Sequence, residues 1–221
     1  MSKKHSNEKT CRIFGAGEYY GLLPTLPPDD FVIAADGGYS YLAAHGIQAD
    51  IVIGDFDSLD LPPTGENVIT LPKDKDDTDM LAAIKAGISR GFNTLYIYGG
   101  TGGRIDHTLA NIQCVAYLAQ LGYRGYLMGS DTAITAIHNG SIAFSATASG
   151  TISIFSHSNV AEGVSITGLK FSVSNVTLSN TFPIGVSNEF VGEESKIEVT
   201  SGTLIITYPI NERKIHHEKS T

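Results

Sequence analysis

The 221-residue chain has no tryptophan, two cysteines and three methionines, and its 15 lysines and arginines are outnumbered by 23 aspartates and glutamates. Each shortage excludes something. A formal net charge of −8 leaves no basic stripe to track a phosphate backbone, which sets nucleic-acid binding aside. No apolar run approaches the ~20 residues of a membrane span, so no membrane partner is expected. Cys11 and Cys114 are too few and too distant for a disulfide framework, which points to a reduced, cytoplasmic protein. No GxxxxGK[ST] string occurs, so a P-loop phosphate site is excluded. Residues 1–10 lack the apolar core of a signal peptide, and His216 and His217 in the closing NERKIHHEKST lack partner ligands at zinc spacing; both ends, 1–10 and 211–221, read as flexible tails.

Glycine, by contrast, is plentiful at 24 residues and gathers where strand-like runs end. Up to about His138 the chain alternates strand and helix patterns: CRIFGAG, FVIAADGG, DIVIGDFDS, NVITLP, a helix over 77–90, TLYIYGG, a helix over 105–121 and RGYLMG. This alternation predicts an α/β domain over 11–139, with a mainly parallel sheet and helices on both faces. From Thr132 the pattern becomes short Thr/Ser/Val-rich strands (TAITAIH, SIAFSA, TISIFSH, GVSITGLKFSV, KIEVTSG, TLIITYP) without a helical period. That predicts an all-β antiparallel sandwich domain over 140–210.

The densest chemical signal is Tyr98-Gly99-Gly100-Thr101-Gly102-Gly103-Arg104-Ile105-Asp106-His107. A strand runs through four glycines into a helix whose apolar positions are Ile105, Leu109, Ile112, Ala116 and Ala119. Glycines let such a turn present backbone N–H groups at the positive end of the helix dipole, where an anion is favoured. Arg104 adds a planar, permanently charged fork for phosphate oxygens. His107, in the first helical turn, is either a proton acceptor or a structural hydrogen-bond partner.

Eight of the 23 carboxylates fall between Asp55 and Asp79. Close carboxylate pairs repel by about 4 kcal/mol at ~4 Å and an effective dielectric near 20, and a divalent cation is the simplest compensation. Asp55 and Asp57 flank Phe56 beyond a strand end, where an extended backbone would direct both to one side. Lys75-Asp76-Asp77-Thr78-Asp79 opens the next helix; Asp77 or Thr78 fits an ordinary N-cap, while Asp76 and Asp79 are placed to face the Asp55/Asp57 crevice. Hard oxygen ligands of this kind suit Mg²⁺. Ser58 fits a cap as well as a ligand.

Gly15-Ala16-Gly17, with Gly21 and Asp36 further on, is similar to a dinucleotide fingerprint and keeps an NAD-linked oxidoreductase as an alternative. The three prolines that follow support no long helix there, and Asp36-Gly37-Gly38 fits equally a strand-end carboxylate facing the phosphate crevice. A nucleotide-sensing binding module is the non-enzymatic alternative.

Taken in order, DGG at 36–38, GDFDS at 54–58, KDDTD at 75–79 and GGTGGRIDH at 99–107 resemble the thiamine pyrophosphokinases (thiamine diphosphokinases), and the likeness continues through Gly185-Val186-Ser187-Asn188-Glu189. The resemblance implies transfer of the pyrophosphoryl group of ATP to thiamine, with Mg²⁺ required, in a homodimer whose active sites lie between the α/β domain of one subunit and the β domain of the other. It implies that Asp55, Asp57, Asp76 and Asp79 organise Mg²⁺ and triphosphate and that Arg104 clamps phosphate. Asp36 and Asp106 complete the polar wall, with Gly37, Lys75, Thr78, Gly100, Gly102 and Gly103 binding substrate. Ser187 and Asn188 contact the thiamine rings. Asp79, Asp57 or His107 takes the hydroxyl proton. Some relatives stack a tryptophan on thiamine; here Phe182 or Phe190 is the substitute.

Overall fold

A computed structural model describes residues 9–21, 26–56, 62–74 and 76–210. They form two compact units: one holds the described residues up to Asn111 together with Leu127–Ser130, the other Ile112–Tyr126 and the described residues from Asp131 onward. No helix among the described residues is long and apolar enough to cross a membrane.

In the first unit, strands β1 (Thr10–Phe14), β2 (Phe31–Ala35), β3 (Ile51–Gly54), β4 (Val68–Thr70) and β5 (Thr94–Tyr98) lie in the lateral order β5-β1-β2-β3-β4. Every pairing is parallel, with Cys11 opposite both Phe31 and Leu95, and Ile33 opposite Ile51. The central strands are almost wholly buried, as a sheet covered on both faces requires. Two helices supply that cover: α1 (Gly38–Ala44) and α2 (Asp79–Ser89). Helix α2 buries Met80, Ala83, Ile84 and Gly87, one face at helical spacing. It lies on the Cys11 and Leu95 side of the sheet, where a Cβ on Gly87 would be 3.4 Å from both side chains. Helix α1 serves the opposite side: Tyr41 stacks near Phe14, and a Cβ on Gly38 would stand 1.9 Å from the Phe14 carbonyl oxygen. The hydrophobic pattern of the sequence does not predict α1.

Helix α3 (Ile105–Gln120) and strand β6 (Arg124–Met128) are each divided between the units. The buried side of α3 is Asn111, Cys114, Val115, Ala116 and Leu118. Ile105 and Leu109, expected on the core side, are exposed instead (72% and 58%). The stripe inferred from its first turn is thus rotated off the side the rest of the helix buries.

The second unit is antiparallel throughout its sheets. Strands β7 (Thr132–His138), β8 (Ser141–Phe144), β9 (Thr151–Ser156), β10 (Val160–Thr167), β11 (Val173–Ser179), β12 (Asn188–Glu189), β13 (Ser195–Glu198) and β14 (Thr203–Pro209) build two layers. One has the order β12-β9-β14-β7 and the other β11-β10-β13-β8. Their inner faces share one core that includes Ile152, Ile154, Leu204 and Ile206 from the first layer and Val164, Ile166, Leu178 and Ile197 from the second. This is the expected sandwich. Strand β10 shifts register twice against β11, which the sequence did not signal. The single expected run through GVSITGLKFSV ends at Thr167, and β11 is a separate strand.

Candidate active site

In the first unit β1 has β2 on one side and β5 on the other, so the order of strands reverses at β1. In open parallel sheets a ligand crevice forms beyond the carboxyl ends at such a reversal. Here the two loops meet. Gly15 N–H donates to the Tyr98 carbonyl (2.8 Å), Gly17 N–H to Gly99 (2.7 Å) and Glu18 N–H to Thr101 (2.9 Å). Close approach explains the glycines: a Cβ on Gly17 would lie 2.6 Å from the carbonyl oxygens of both Gly99 and Thr101. Gly15-Ala16-Gly17 is therefore spent on packing against the β5 loop, and the first described helix after β1 is α1, beyond β2. That is not the strand-turn-helix of a dinucleotide fingerprint.

The contacts continue across the strand ends. A Cβ on Gly37 would stand 2.9 Å from the Ala16 side chain, and one on Gly54 would stand 3.0 Å from the Asp36 Cα. The loops after β5, β1, β2 and β3 thus touch in lateral order. Three non-glycine residues of these loops adopt the left-handed region: Tyr20 (φ 53°), Asp36 (φ 47°) and Phe56 (φ 56°). Such conformations cost on the order of 1–3 kcal/mol each and persist only where the surroundings hold them. Asp36 is held by its N–H donating to Ile53 O at 2.8 Å, and Phe56 by burial. The left-handed Phe56 corrects one expectation, since the backbone between Asp55 and position 57 is turned and not extended. Asp57, like Ser58 and Lys75, lies outside the described residues.

Beneath this edge lies a polar group that the sequence reading missed. Arg12, in the middle of β1, is buried; its Nε donates to Asp30 and its Nη1 to the Tyr98 hydroxyl at 2.6 Å. The guanidinium also sits 5.0 Å from the Tyr96 ring centroid and 6.0 Å from that of Tyr98. Burial raises the Tyr98 phenol pKa, against the opposing pull of Arg12, so the hydroxyl stays protonated. Tyr98 stacks on Phe14 at 5.1 Å. Tyr19 and Tyr41 stack face to face at 3.4 Å, and the Tyr19 hydroxyl donates to Gly15 O at 2.6 Å. Tyr98 is the residue before Gly99, so this network fixes the start of the glycine loop.

Within that loop the glycines have different duties. Gly100 is packed: Asn111 Nδ2 donates to its carbonyl at 2.7 Å, and a Cβ there would meet Leu127 at 2.6 Å. Gly102 (φ 78°) faces Glu18 and Tyr20, while Gly103 (φ 60°) has open space where a side chain would be. Gly103 N–H donates to Glu18 Oε1 at 3.2 Å. Arg104 is exposed and holds Asp106 through both ends of its fork, Nη2 to Oδ2 at 2.5 Å and Nε to Oδ1 at 3.2 Å. The Arg104 hydrogen bond is the main cause that lowers the Asp106 pKa below its ordinary value. His107 is exposed in the first turn of α3.

The expected acidic group is partly resolved. Thr78 is the N-cap of α2, its Oγ1 accepting from Leu81 N at 3.1 Å. Asp77 pairs with Lys85 at 2.6 Å. Asp76 is exposed, Asp79 is half-buried in the first turn of α2, and Asp55 is half-buried just past β3. Among the described residues no three acidic, histidine or cysteine side chains form a group that could hold a metal ion.

In the second unit Ser187 has φ 61° and its N–H donates to Ser153 Oγ at 3.1 Å. Asn188 is buried with its amide committed to backbone: Oδ1 accepts from Phe171 N (3.0 Å) and Glu189 N (2.9 Å), and Nδ2 donates to Phe171 O (2.8 Å). Of the two candidate aromatics, Phe190 packs on the core against Phe144 at 5.3 Å, whereas Phe182 is 65% exposed. Ile184 and Val186 are exposed beside it in sequence.

Residues 25–127 match the family model described as thiamin pyrophosphokinase, catalytic domain, and residues 141–204 match that described as thiamin pyrophosphokinase, vitamin B1 binding domain. A thiamine pyrophosphokinase of Bacillus subtilis (strain 168) is 26% identical over 211 residues, covering 90% of this chain and 97% of that one. In structure the chain is similar to a crystal structure of thiamine pyrophosphokinase from Bacillus subtilis, with a TM-score of 0.78 at 24% identity, covering 92% of this chain and 100% of that one. Yeast thiamin pyrophosphokinase gives a TM-score of 0.73 at 18% identity, over 96% and 89% of the two chains. At these identities the structural likeness speaks for the fold.

Proposed function

The chain belongs to the thiamin pyrophosphokinase family, and on that premise we propose how its residues carry the reaction. It is a thiamine diphosphokinase, with ATP and thiamine as substrates and thiamine diphosphate and AMP as products. The observation that carries this conclusion is the tandem match of a catalytic model to the strand-helix part and a vitamin-binding model to the β part. Nothing in the fold or the comparisons favours an oxidoreductase or a sensor.

Transfer of a phosphoryl-type group asks the protein mainly for positioning and charge neutralisation. We assign the triphosphate to the edge formed by the loops after β5, β1, β2 and β3. Gly103, with its N–H at the head of α3, and Arg104 supply donors; Asp36, Gly37, Gly100, Gly102 and Asp106 shape the surrounding loops, and Lys75 adds a cation. Thr78 contributes by capping α2 and so fixing Asp79. The thiamine hydroxyl oxygen forms a bond to the β-phosphorus while the bond from that phosphorus to the α–β bridging oxygen breaks, and AMP leaves with that oxygen. The hydroxyl proton passes to Asp79, Asp57 or His107.

The family's divalent metal is proposed to be Mg²⁺. Asp55 and Asp79, with Asp57 and Asp76, are hard oxygen donors, and Mg²⁺ usually takes only one or two protein carboxylates beside phosphate oxygens and water, so the donor set fits. When bound, the ion supplies neutralising charge along the triphosphate.

For thiamine, the exposed Phe182 with Ile184 and Val186 supports an apolar ring contact near Ser187. Asn188 then acts by fixing the loop, since its amide is already used. A homodimer with the active site shared between an α/β domain and its partner's β domain is part of the proposal, as are the boundary near residue 139 and a cytoplasmic setting. Cys11 and Cys114, both buried and not joined in a disulfide, agree with a reducing compartment.

The test is product analysis after incubation with Mg²⁺-ATP and thiamine. Equal amounts of AMP and thiamine diphosphate are expected; ADP with thiamine monophosphate would mean γ-transfer and would refute the assignment.

A further inference from the structure

We propose that Glu18 is a resident anion of the loop between β5 and α3: its carboxylate occupies the Gly103 donor that a nucleotide phosphate takes, and its displacement sets the affinity for ATP. The inference rests on the reading that this loop receives the triphosphate.

Three observations carry it. The first is the contact itself, a carboxylate oxygen 3.2 Å from Gly103 N at the turn that leads into a sixteen-residue helix. An anionic oxygen on a backbone N–H at such a place is the same chemistry a phosphate oxygen would offer. The second is that Gly102 is shaped around this side chain. A Cβ on Gly102 would fall 2.7 Å from Glu18 Cβ and 2.8 Å from its carboxyl carbon. The third is that the backbone bearing Glu18 is anchored independently of the carboxylate. Glu18 N–H donates to Thr101 O at 2.9 Å, and Gly17 N–H to Gly99 O at 2.7 Å. The side chain can therefore rotate away with the loss of one exposed hydrogen bond while the two loops stay joined. Meanwhile Arg104, the neighbouring cation, is held by Asp106 at 2.5 Å.

The carboxylate thus keeps the Gly103 donor satisfied in the free enzyme and opposes the incoming charge until displaced. Glu18→Gln retains the size and an acceptor but removes the charge. The KM for Mg²⁺-ATP and the calorimetric Kd for a Mg²⁺-bound non-hydrolysable ATP analogue are expected to fall together by about three- to tenfold, roughly the gap between a charge-assisted and a neutral hydrogen bond. Glu18→Ala, which vacates the donor, should move both in the same direction. Backbone amide spectra of wild type and variants during the same titration separate phosphate binding at this loop from displacement of Glu18. If the amides of residues 99–103 shift in both proteins and neither variant binds more tightly, the Glu18 proposal is overturned and the assignment of the triphosphate to this loop stands. If the analogue binds without moving those amides, the assignment of the triphosphate to this loop fails and the proposal with it.

Discussion

Replacing Asp30 by asparagine should destabilise the first unit more than almost any other change outside its apolar core. The Arg12 and Asp30 side chains are 8% and 12% exposed, so the guanidinium depends on this carboxylate for its neutralising charge. Removing one partner of a buried pair costs about 3–5 kcal/mol because the other charge is left uncompensated. Asparagine keeps an acceptor for Nε, and the Tyr98 hydroxyl and the faces of Tyr96 and Tyr98 remain around the cation. The expected loss is therefore about 2–3 kcal/mol, or roughly 5–10 °C in Tm for a chain of this size. Urea unfolding followed by circular dichroism measures it, with the midpoint moving and the slope unchanged. A loss below about 1 kcal/mol would show that water screens the pair and that the reasoning from burial is wrong. The double replacement Arg12→Met with Asp30→Leu gives the counter-test, because removing both charges should cost far less than removing one.

Gly17→Ala should lower nucleotide affinity at least tenfold and reduce stability by about 1–3 kcal/mol, as its Cβ meets two carbonyl oxygens at 2.6 Å; unchanged calorimetric binding would argue against a coupled pair of loops. Burial, helped by the charges of Asp50 and Asp30, pushes the Cys11 thiol up to about 12, so Ellman's reagent at pH 8 should leave Cys11 unmodified in native protein and modify it after denaturation. The Arg104 hydrogen bond holds the Asp106 pKa below its ordinary carboxylate value. A depressed carboxyl group contributes above its unfolded pKa and loses that contribution only as pH falls through the folded value, so the pair stays ionised from pH 5 to 9. Asp106→Asn should accordingly change ATP affinity by the same factor across that range, and a ratio that varies with pH would contradict this.

Much of the architecture was legible because alternating hydrophobicity and glycine punctuation report burial directly: β5, α2, β7, β8, β9 and β14 follow their runs closely, whereas β11 and β12 lie largely outside any such run. Helix α1 was hidden because seven residues carry too little periodicity and its first glycine is required by the Phe14 carbonyl. Arg12 was hidden inside an apolar strand, since nothing local announces that Asp30, 18 positions away, neutralises it. The candidate site was legible as motifs, yet the sequence could not say which residue supports and which receives. Asn188 has the composition of a ligand contact and the hydrogen bonds of a loop anchor. Glu18 carries no signal in the sequence because its partner lies 85 positions on. The turn at Phe56 needed a backbone angle that residue type does not encode.

The open space at Gly103 also bears on how such an enzyme can change. Its neighbours Gly99, Gly100 and Gly102 are fixed by atoms lying within 2.6–2.7 Å of any added carbon, whereas Gly103 is constrained only by its φ of 60°. Asparagine and aspartate tolerate that angle best among residues with side chains. A library spanning positions 99, 100, 102 and 103 would therefore accept change first at position 103, and selection for retained activity should return Asn there before any replacement at 99, 100 or 102.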